Sequence, residues 1–197
     1  MAKQGVCVSK PRKLSKQLIL NRAADMLNSG QQLSFTTLSK QFGTHSQALY
    51  PYFKNREELL NELFAWVLRQ LLAAMQQANK SDDSGKAIVA VAVQFRKVAL
   101  TNFGLFKTIM AISPTAQKVP EVQGLIREIR TSVDGALVGI TSDQADRLLL
   151  SRAIRNIMIG EIFNEGSGWF DDPRIPAGDS YQRMLNDLIT MYQDRHA

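Results

Sequence analysis

The sequence predicts an all-α fold: a three-helix head, a long connecting helix, then a second, larger helical unit. Three observations carry that expectation. Apolar residues recur at spacings of three and four through most of the chain, the period of helices buried on one face. Alternating apolar and polar stretches of useful strand length are absent. Within residues 34–64, two short helical patterns flank Gly43, and an aromatic hinge, Tyr50-Pro51-Tyr52-Phe53, leads into a long amphipathic run. With 197 residues, 45% of them apolar, the chain can build one or two domains with real cores.

The elements follow in order. A first helix begins near Arg12 or Lys13. Its inner face is Leu20, Ala23, Ala24 and Leu27, and Asn28-Ser29-Gly30 ends it. Ser34 caps the second helix, because its hydroxyl can accept from free first-turn amides. Phe35, Leu38 and Phe42 face inward there, and the small Ser39 lets another helix approach. Gly43 can take positive φ and turn the chain sharply. Thr44 or His45 then caps a third helix reaching about Tyr52, with Pro51 tightening or kinking its end. Leu49 and Phe53 enter the core, leaving the phenols of Tyr50 and Tyr52 freer.

Asn55 caps a long helix over 55–79, with Glu58 at capping-box spacing. Its stripe is Leu59, Leu60, Leu63, Phe64, Val67, Leu68, Leu71, Leu72 and Met75. A polar loop over 79–85 precedes helices near 85–102, 103–111, 119–138, 142–165 and 179–195. The expected organisation is a basic flexible tail (1–11), a helix-turn-helix unit (12–56) and an all-α domain (57–197).

Charge narrows the function. The formal charge is +6, unevenly placed: residues 1–56 hold nine Lys or Arg and one acid, Asp25, so 57–197 carry −2. Excess positive charge on the helix-turn-helix unit is the footprint of phosphate neutralisation on DNA. A bare basic tail is the plainer alternative. Enzyme signatures are missing: the two histidines, His45 and His196, are far apart, and no hydrolase, Walker or dinucleotide motif occurs. Asp82-Asp83 and Asp171-Asp172 read as solvated or capping loop pairs, so neither metal nor cofactor is expected. The single cysteine, Cys7, cannot form an intrachain disulfide, which suits a reducing interior. The first residues lack the apolar core of a signal peptide, and no run of eighteen apolar residues exists. A cytoplasmic protein without a membrane span is expected.

The arrangement resembles the tetracycline-repressor (TetR) family of bacterial regulators. The residues that carry the resemblance are Ala23-Ala24, Gly30, Leu38, Gly43, Leu49-Tyr50, Phe53-Lys54-Asn55-Arg56-Glu57 and Leu59-Leu60, across about residues 14–64. A weaker match to one subgroup with a Trp/Gly-containing C-terminal domain covers residues 101–110 and 159–170, then Ser180-Tyr181. Thr44, Ser39 and Pro51 depart from the common pattern, where an aliphatic residue and alanine are usual at the first two. The resemblance implies a dimeric regulator, most commonly a repressor, released from a palindromic operator by a small apolar or amphipathic effector. An activator of the same fold, or a non-specific DNA-compacting protein, stays open beside it.

By that resemblance, Ser46, Gln47 and Ala48 are the base-reading candidates. Thr36, Lys40, Tyr50, Tyr52, Lys54 and Arg56 are the phosphate or positioning candidates. Phe95, Phe103, Phe106, Met110, Phe163, Trp169 and Phe170 would wall an effector pocket or merely fill a core. Leu150, Ile154, Ile157, Met158, Glu161, Tyr181, Met184, Leu188 and Met191 are homodimer candidates, unless their helices close the monomer's own core. The 55–79 helix is the expected transmitter between effector and head.

Overall fold

A computed structural model describes residues 14–78, 83–112 and 118–196 of the chain. The 1–11 tail, Cys7 and the expected helix onset at Arg12 or Lys13 lie outside the described residues, as does the break at Ser113-Pro114. The described elements are all helical: α1 (Lys16–Asn28), α2 (Phe35–Lys40), a 3-10 turn (Ser46–Leu49), α3 (Arg56–Ala78), α4 (Ser84–Thr101), α5 (Phe103–Met110), α6 (Pro120–Val138), α7 (Gln144–Gly166) and α8 (Ala177–His196).

Local chemistry sets most boundaries. The Ser15 hydroxyl accepts from Leu18 N at 3.2 Å and starts α1. Asp83 and Asp143 do the same for α4 and α7, accepting from Lys86 N at 3.1 Å and Asp146 N at 2.8 Å. Pro120, whose missing amide costs nothing at a helix start, opens α6. Asn102 separates α4 from α5 at a sharp bend of 102°. Among the described residues no single helix is long and apolar enough to cross a membrane.

Three cores hold the helices. The first joins the head to the rest: Ile19, Ala23, Leu38, Leu49 and Phe53 pack with Leu59, Leu63 and Phe64 of α3, and also with Leu105, Ile109 and Val122. The head is therefore not a separate bead on α3, because α5 and α6 reach into its core. The second core is Ile88 and Ala92 of α4, Leu137 of α6, Leu150 and Ile154 of α7, and Tyr181, Leu185 and Ile189 of α8. The third is aromatic, with Phe95, Phe103, Met110 and Phe163 around Ala99, Phe106 and Ile162.

At the junction of α1 with α5 backbone meets backbone closely. Leu105 N donates to Asn28 Oδ1 at 3.0 Å, and Asn28 Nδ2 donates to Asn102 Oδ1 at 3.1 Å. Beside them Gly104 lies directly on the last turn of α1. A Cβ added there would sit 2.7 Å from Asn28 Cα and closer still to the Leu27 carbonyl. The head's first helix thus ends against the helix that carries Phe103 and Phe106 into the aromatic core.

Candidate nucleic-acid interface

The helix-turn-helix is built from a reciprocal cap and one left-handed residue. Ser34 Oγ accepts from Thr37 N at 3.0 Å, while Ser34 N donates to Thr37 Oγ1 at 3.0 Å. That capping box starts α2. At its far end Gly43 has φ +63°, a conformation that L side chains rarely adopt. Gly43 N then donates to Lys40 O and Thr44 N to Ser39 O, both at 3.1 Å, closing the helix and reversing the chain.

The third helix is shorter and tighter than the sequence predicts. Instead of a helix to Tyr52, Ser46–Leu49 form a single 3-10 turn. His45 holds the N-cap position in extended conformation, without a side-chain cap. Pro51 has no amide to donate, so a regular α ladder cannot pass through it. Tyr52 N and Phe53 N both donate to Leu49 O instead, at 3.0 and 3.1 Å.

His45 and Gln47 are exposed on this turn, and Ser46 and Ala48 half-exposed. Thr36 and Lys40 are exposed one turn apart on α2. Tyr50 is 55% exposed, its ring held edge-on to Phe35 at 5.2 Å between centroids. At the start of α3, Asn55 Oδ1 accepts from Glu58 N at 2.8 Å and the Glu58 carboxylate accepts from Lys54 N. This anchors the exposed Lys54 beside a helix N-terminus, where amides and cations together favour an anion. Lys16 is taken by Glu62 at 2.6 Å. Lys40, Lys54 and Arg56 have no ion pair among the described residues.

The structure corrects Tyr52 and adds a protein partner to Arg56. The Tyr52 hydroxyl donates to the Leu14 carbonyl at 2.7 Å and is part-buried, so its proton ties the turn to the entry of α1 rather than to phosphate. Arg56 Nε donates to the Leu33 carbonyl at 2.9 Å, which fixes α3 to the loop before α2 and leaves the outer guanidinium edge exposed. The sequence offers His45 only as a cap. Its exposure beside Gln47 adds it to the surface of the turn, and its place right after the glycine turn was the available signal.

The presumed effector aromatics divide. Phe95, Phe103, Phe106, Met110 and Phe163 pack on one another, with ring centroids 5.8–6.0 Å apart. The cavity against them, lined by Val67, Leu71, Phe95, Val98, Ala99, Asn102 and Phe106, measures about 10 Å³, room for about one water. Trp169 and Phe170 are not core walls: they are 77% and 45% exposed on the loop between α7 and α8. Gly168 N and Trp169 N are spent closing the end of α7, and the indole follows the turn outward.

Four dimer candidates are also corrected. Leu150, Ile154 and Tyr181 belong to the second core of this chain, and Glu161 is buried at 2% exposure. Ile157, Met158 and Leu188 pack against that core from its edge. Met184 and Met191 remain on the surface, joined by Leu148 and Leu149, which helical periodicity alone did not separate from Leu150. Gly160 lies mid-helix on α7 with nothing within 4 Å of the place its Cβ would take.

Beneath α7 is a buried ionic cluster. Arg96 Nε donates to Glu161 Oε1 at 3.1 Å, and an Arg96 terminal nitrogen donates to the Glu165 carboxylate. The guanidinium stands 5.9 Å from the Tyr181 ring centroid. Burial raises the Glu161 pKa, Arg96 opposes the shift and Glu165 adds to it. Burial likewise holds the Tyr181 phenol protonated, with its O–H donated to the Ala92 carbonyl at 3.0 Å. Arg96 escaped the sequence reading, although one guanidinium inside the apolar run of α4 was a visible sign.

The sign of the Glu161 effect is testable. A carboxyl whose folded pKa is raised binds its proton more tightly when folded, so stability falls as pH climbs from its ordinary pKa through the raised one. Glu161→Gln removes that slope. Urea melts from about pH 4 to about pH 8 are expected to show the variant gaining on the wild type as pH rises. A constant difference would mean that folding does not shift the Glu161 pKa.

No protein-family model matches the sequence, and no curated protein matches it. Solved structures do match. PfmR, a TetR-family transcriptional regulator from Thermus thermophilus, superposes with TM-score 0.66 at 23% identity, over 87% of this chain and 96% of that one. A TetR transcriptional regulator from Streptomyces coelicolor gives 0.69 at 17% identity, over 93% and 100%. A TetR variant from Acinetobacter baumannii solved with minocycline gives 0.68 at 17%, over 94% and 99%. At these identities the likeness is one of fold, and the fold of this chain is that of the TetR regulators.

Proposed function

We propose that the chain is a TetR-type DNA-binding transcriptional regulator, acting as a dimeric repressor that a small apolar or amphipathic effector releases from a palindromic operator. The observation that carries this reading is the Gly43 turn, which presents exposed His45 and Gln47 next to exposed Lys40, Lys54 and Arg56, none in an ion pair among the described residues. Phosphates met by those cations would fix register, and the turn would read base edges. The minocycline-bound neighbour supports a ligand-responsive C-terminal unit.

The dimer surface that fits best is the outer face of α7 and α8. Leu149, Ala153, Asn156 and Gly160 form one stripe of α7, with Met184 and Met191 exposed on α8. A mid-helix glycine costs about 1 kcal/mol relative to alanine, and open space beside it admits a close helix from a second copy. Two-fold pairing would then set both turns toward one duplex, about one helical repeat (~34 Å) or a multiple apart. A cytoplasmic setting belongs to the same proposal.

Selection of bound duplexes from a random pool tests the whole reading, since a recovered palindrome would reveal specificity, symmetry and spacing together. Equal retention of all sequences would favour the DNA-compacting alternative. Two variants separate the roles. Gln47→Ala is expected to lose about 1–3 kcal/mol on the preferred base and relax choice there. Lys54→Ala should weaken every duplex alike and lower the salt slope by about 1. Titrations against the selected and a scrambled site would overturn the assignment if both variants behaved the same.

A further inference from the structure

The ionic cluster under α7 does not balance. Two carboxylates, Glu161 and Glu165, share one guanidinium, Arg96, leaving one negative charge in excess. The Glu161 side chain is 0% exposed. Its second oxygen, Oε2, is buried and has no hydrogen-bond partner among the described residues. A buried carboxylate oxygen without a donor is costly, so the site lacks a proton or a cation.

The surroundings favour an organic cation. The cluster opens toward solvent at its rim, where the Arg96 and Glu165 side chains are 19% and 31% exposed. The α7–α8 loop leaves from this rim and returns to it. Glu165 lies three residues before Gly168, and at the other end a Cβ on Gly178 would lie 3.4 Å from the Arg96 guanidinium. That loop carries the exposed Trp169 and Phe170. Aromatic faces beside net negative charge attract cations. Phe95 precedes Arg96, and Phe163 lies between Glu161 and Glu165 in sequence; both belong to the aromatic core. The chain as a whole is +6, so long-range attraction works against a cation and any preference for one must be local.

We propose that the Arg96–Glu161–Glu165 cluster is the charge-reading part of the effector site, and that it takes an organic cation with aromatic bulk, its charge supplying the partner that Glu161 Oε2 lacks. This rests on the effector reading above. The small apolar cavity beside Phe95 and Phe106 would open as the rings of such a ligand enter.

The test uses the full chain and three probes: benzyltrimethylammonium, tetraphenylphosphonium, and tetraphenylborate, which has the phosphonium's shape and the opposite charge. The cations are expected to raise the melting temperature by about 2–4 °C and the borate not to. Glu161→Gln should bind the cations at least about tenfold more weakly, and Trp169→Ala more weakly than wild type. A borate shift equal to or above the phosphonium shift, or cation binding by the Gln variant at wild-type strength, would overturn the proposal. The wild-type comparison of opposite charges stands even if the variant folds poorly. Release of a selected duplex, followed by fluorescence anisotropy, separates the two readings. Charge-selective binding without release supports the cation site and overturns the effector role. Release by uncharged ligands alone keeps the effector role and overturns the cation site.

Discussion

Gly104→Ala is expected to cost about 3 kcal/mol of stability, far more than an exposed glycine-to-alanine change in a helix, which normally stabilises. The added methyl would meet backbone, Leu27 O and Asn28 Cα, rather than the flexible end of a side chain. Backbone in a hydrogen-bonded last turn cannot step aside, so α5 must lift from α1. Lifting also stretches the bond from Leu105 N to Asn28 Oδ1. Because Leu105 and Ile109 belong to the head's own core, the loss spreads into the helix-turn-helix. Denaturant melts give the stability, and duplex titration gives the cost in DNA affinity. A variant as stable as the wild type would show that α1 and α5 do not pack in this way. Under the proposed effector reading, the same geometry would give a route for signalling besides α3. A ligand that displaced Phe103 or Phe106 would move α5, and α5 cannot move without pushing the end of α1.

Gly160→Leu should have the opposite signature, leaving the monomer intact and destroying its pairing. The position has open space, and leucine in a helix interior is better than glycine by about 0.8 kcal/mol, so the isolated chain gains stability. If α7 crosses its copy near this glycine, the isobutyl group keeps the helices apart. A duplex with two half-sites would then be bound one head at a time, losing about 100-fold or more in affinity. Affinity for a lone half-site should not change. Sedimentation and titration against both duplexes check this. A variant that still dimerises and still holds the full site would move the interface off this face of α7.

The helices themselves were legible because their signal is local. Spacings of three and four, Ser and Asp caps, Pro120 and the glycine turns all act within one or two turns, and the spans agree with the sequence expectation to within about three residues. The third helix of the head is the exception. Pro51 has no amide to carry an α ladder onward from this turn, and Ser46–Leu49 close as a 3-10 turn instead. Gln47, a candidate through the family resemblance, and Lys54, placed beside the Asn55 cap, are both exposed there.

Partners distant in sequence were not legible. Whether the Tyr52 hydroxyl met phosphate or protein depended on Leu14, 38 residues away, and the fate of Arg56 depended on Leu33. In α7, apolar residues occur on nearly every side. Leu148, Leu149 and Leu150 stand in a row, and only packing decided that Leu150 goes inward while its neighbours face out. Glu161, a dimer candidate by its place on the helix, is instead paired with Arg96, 65 residues earlier in the chain.

The sequence by itself determined a helical chain with a cationic, glycine-turned head, because propensity, capping and charge are properties of near neighbours. Only the tertiary structure decided which apolar faces stay open, where α5 locks onto α1, and that one oxygen of a buried carboxylate has no hydrogen-bond partner among the described residues. Those outcomes are set by helices folding onto one another across long stretches of chain, where burial and excluded volume choose among faces that local pattern makes equivalent.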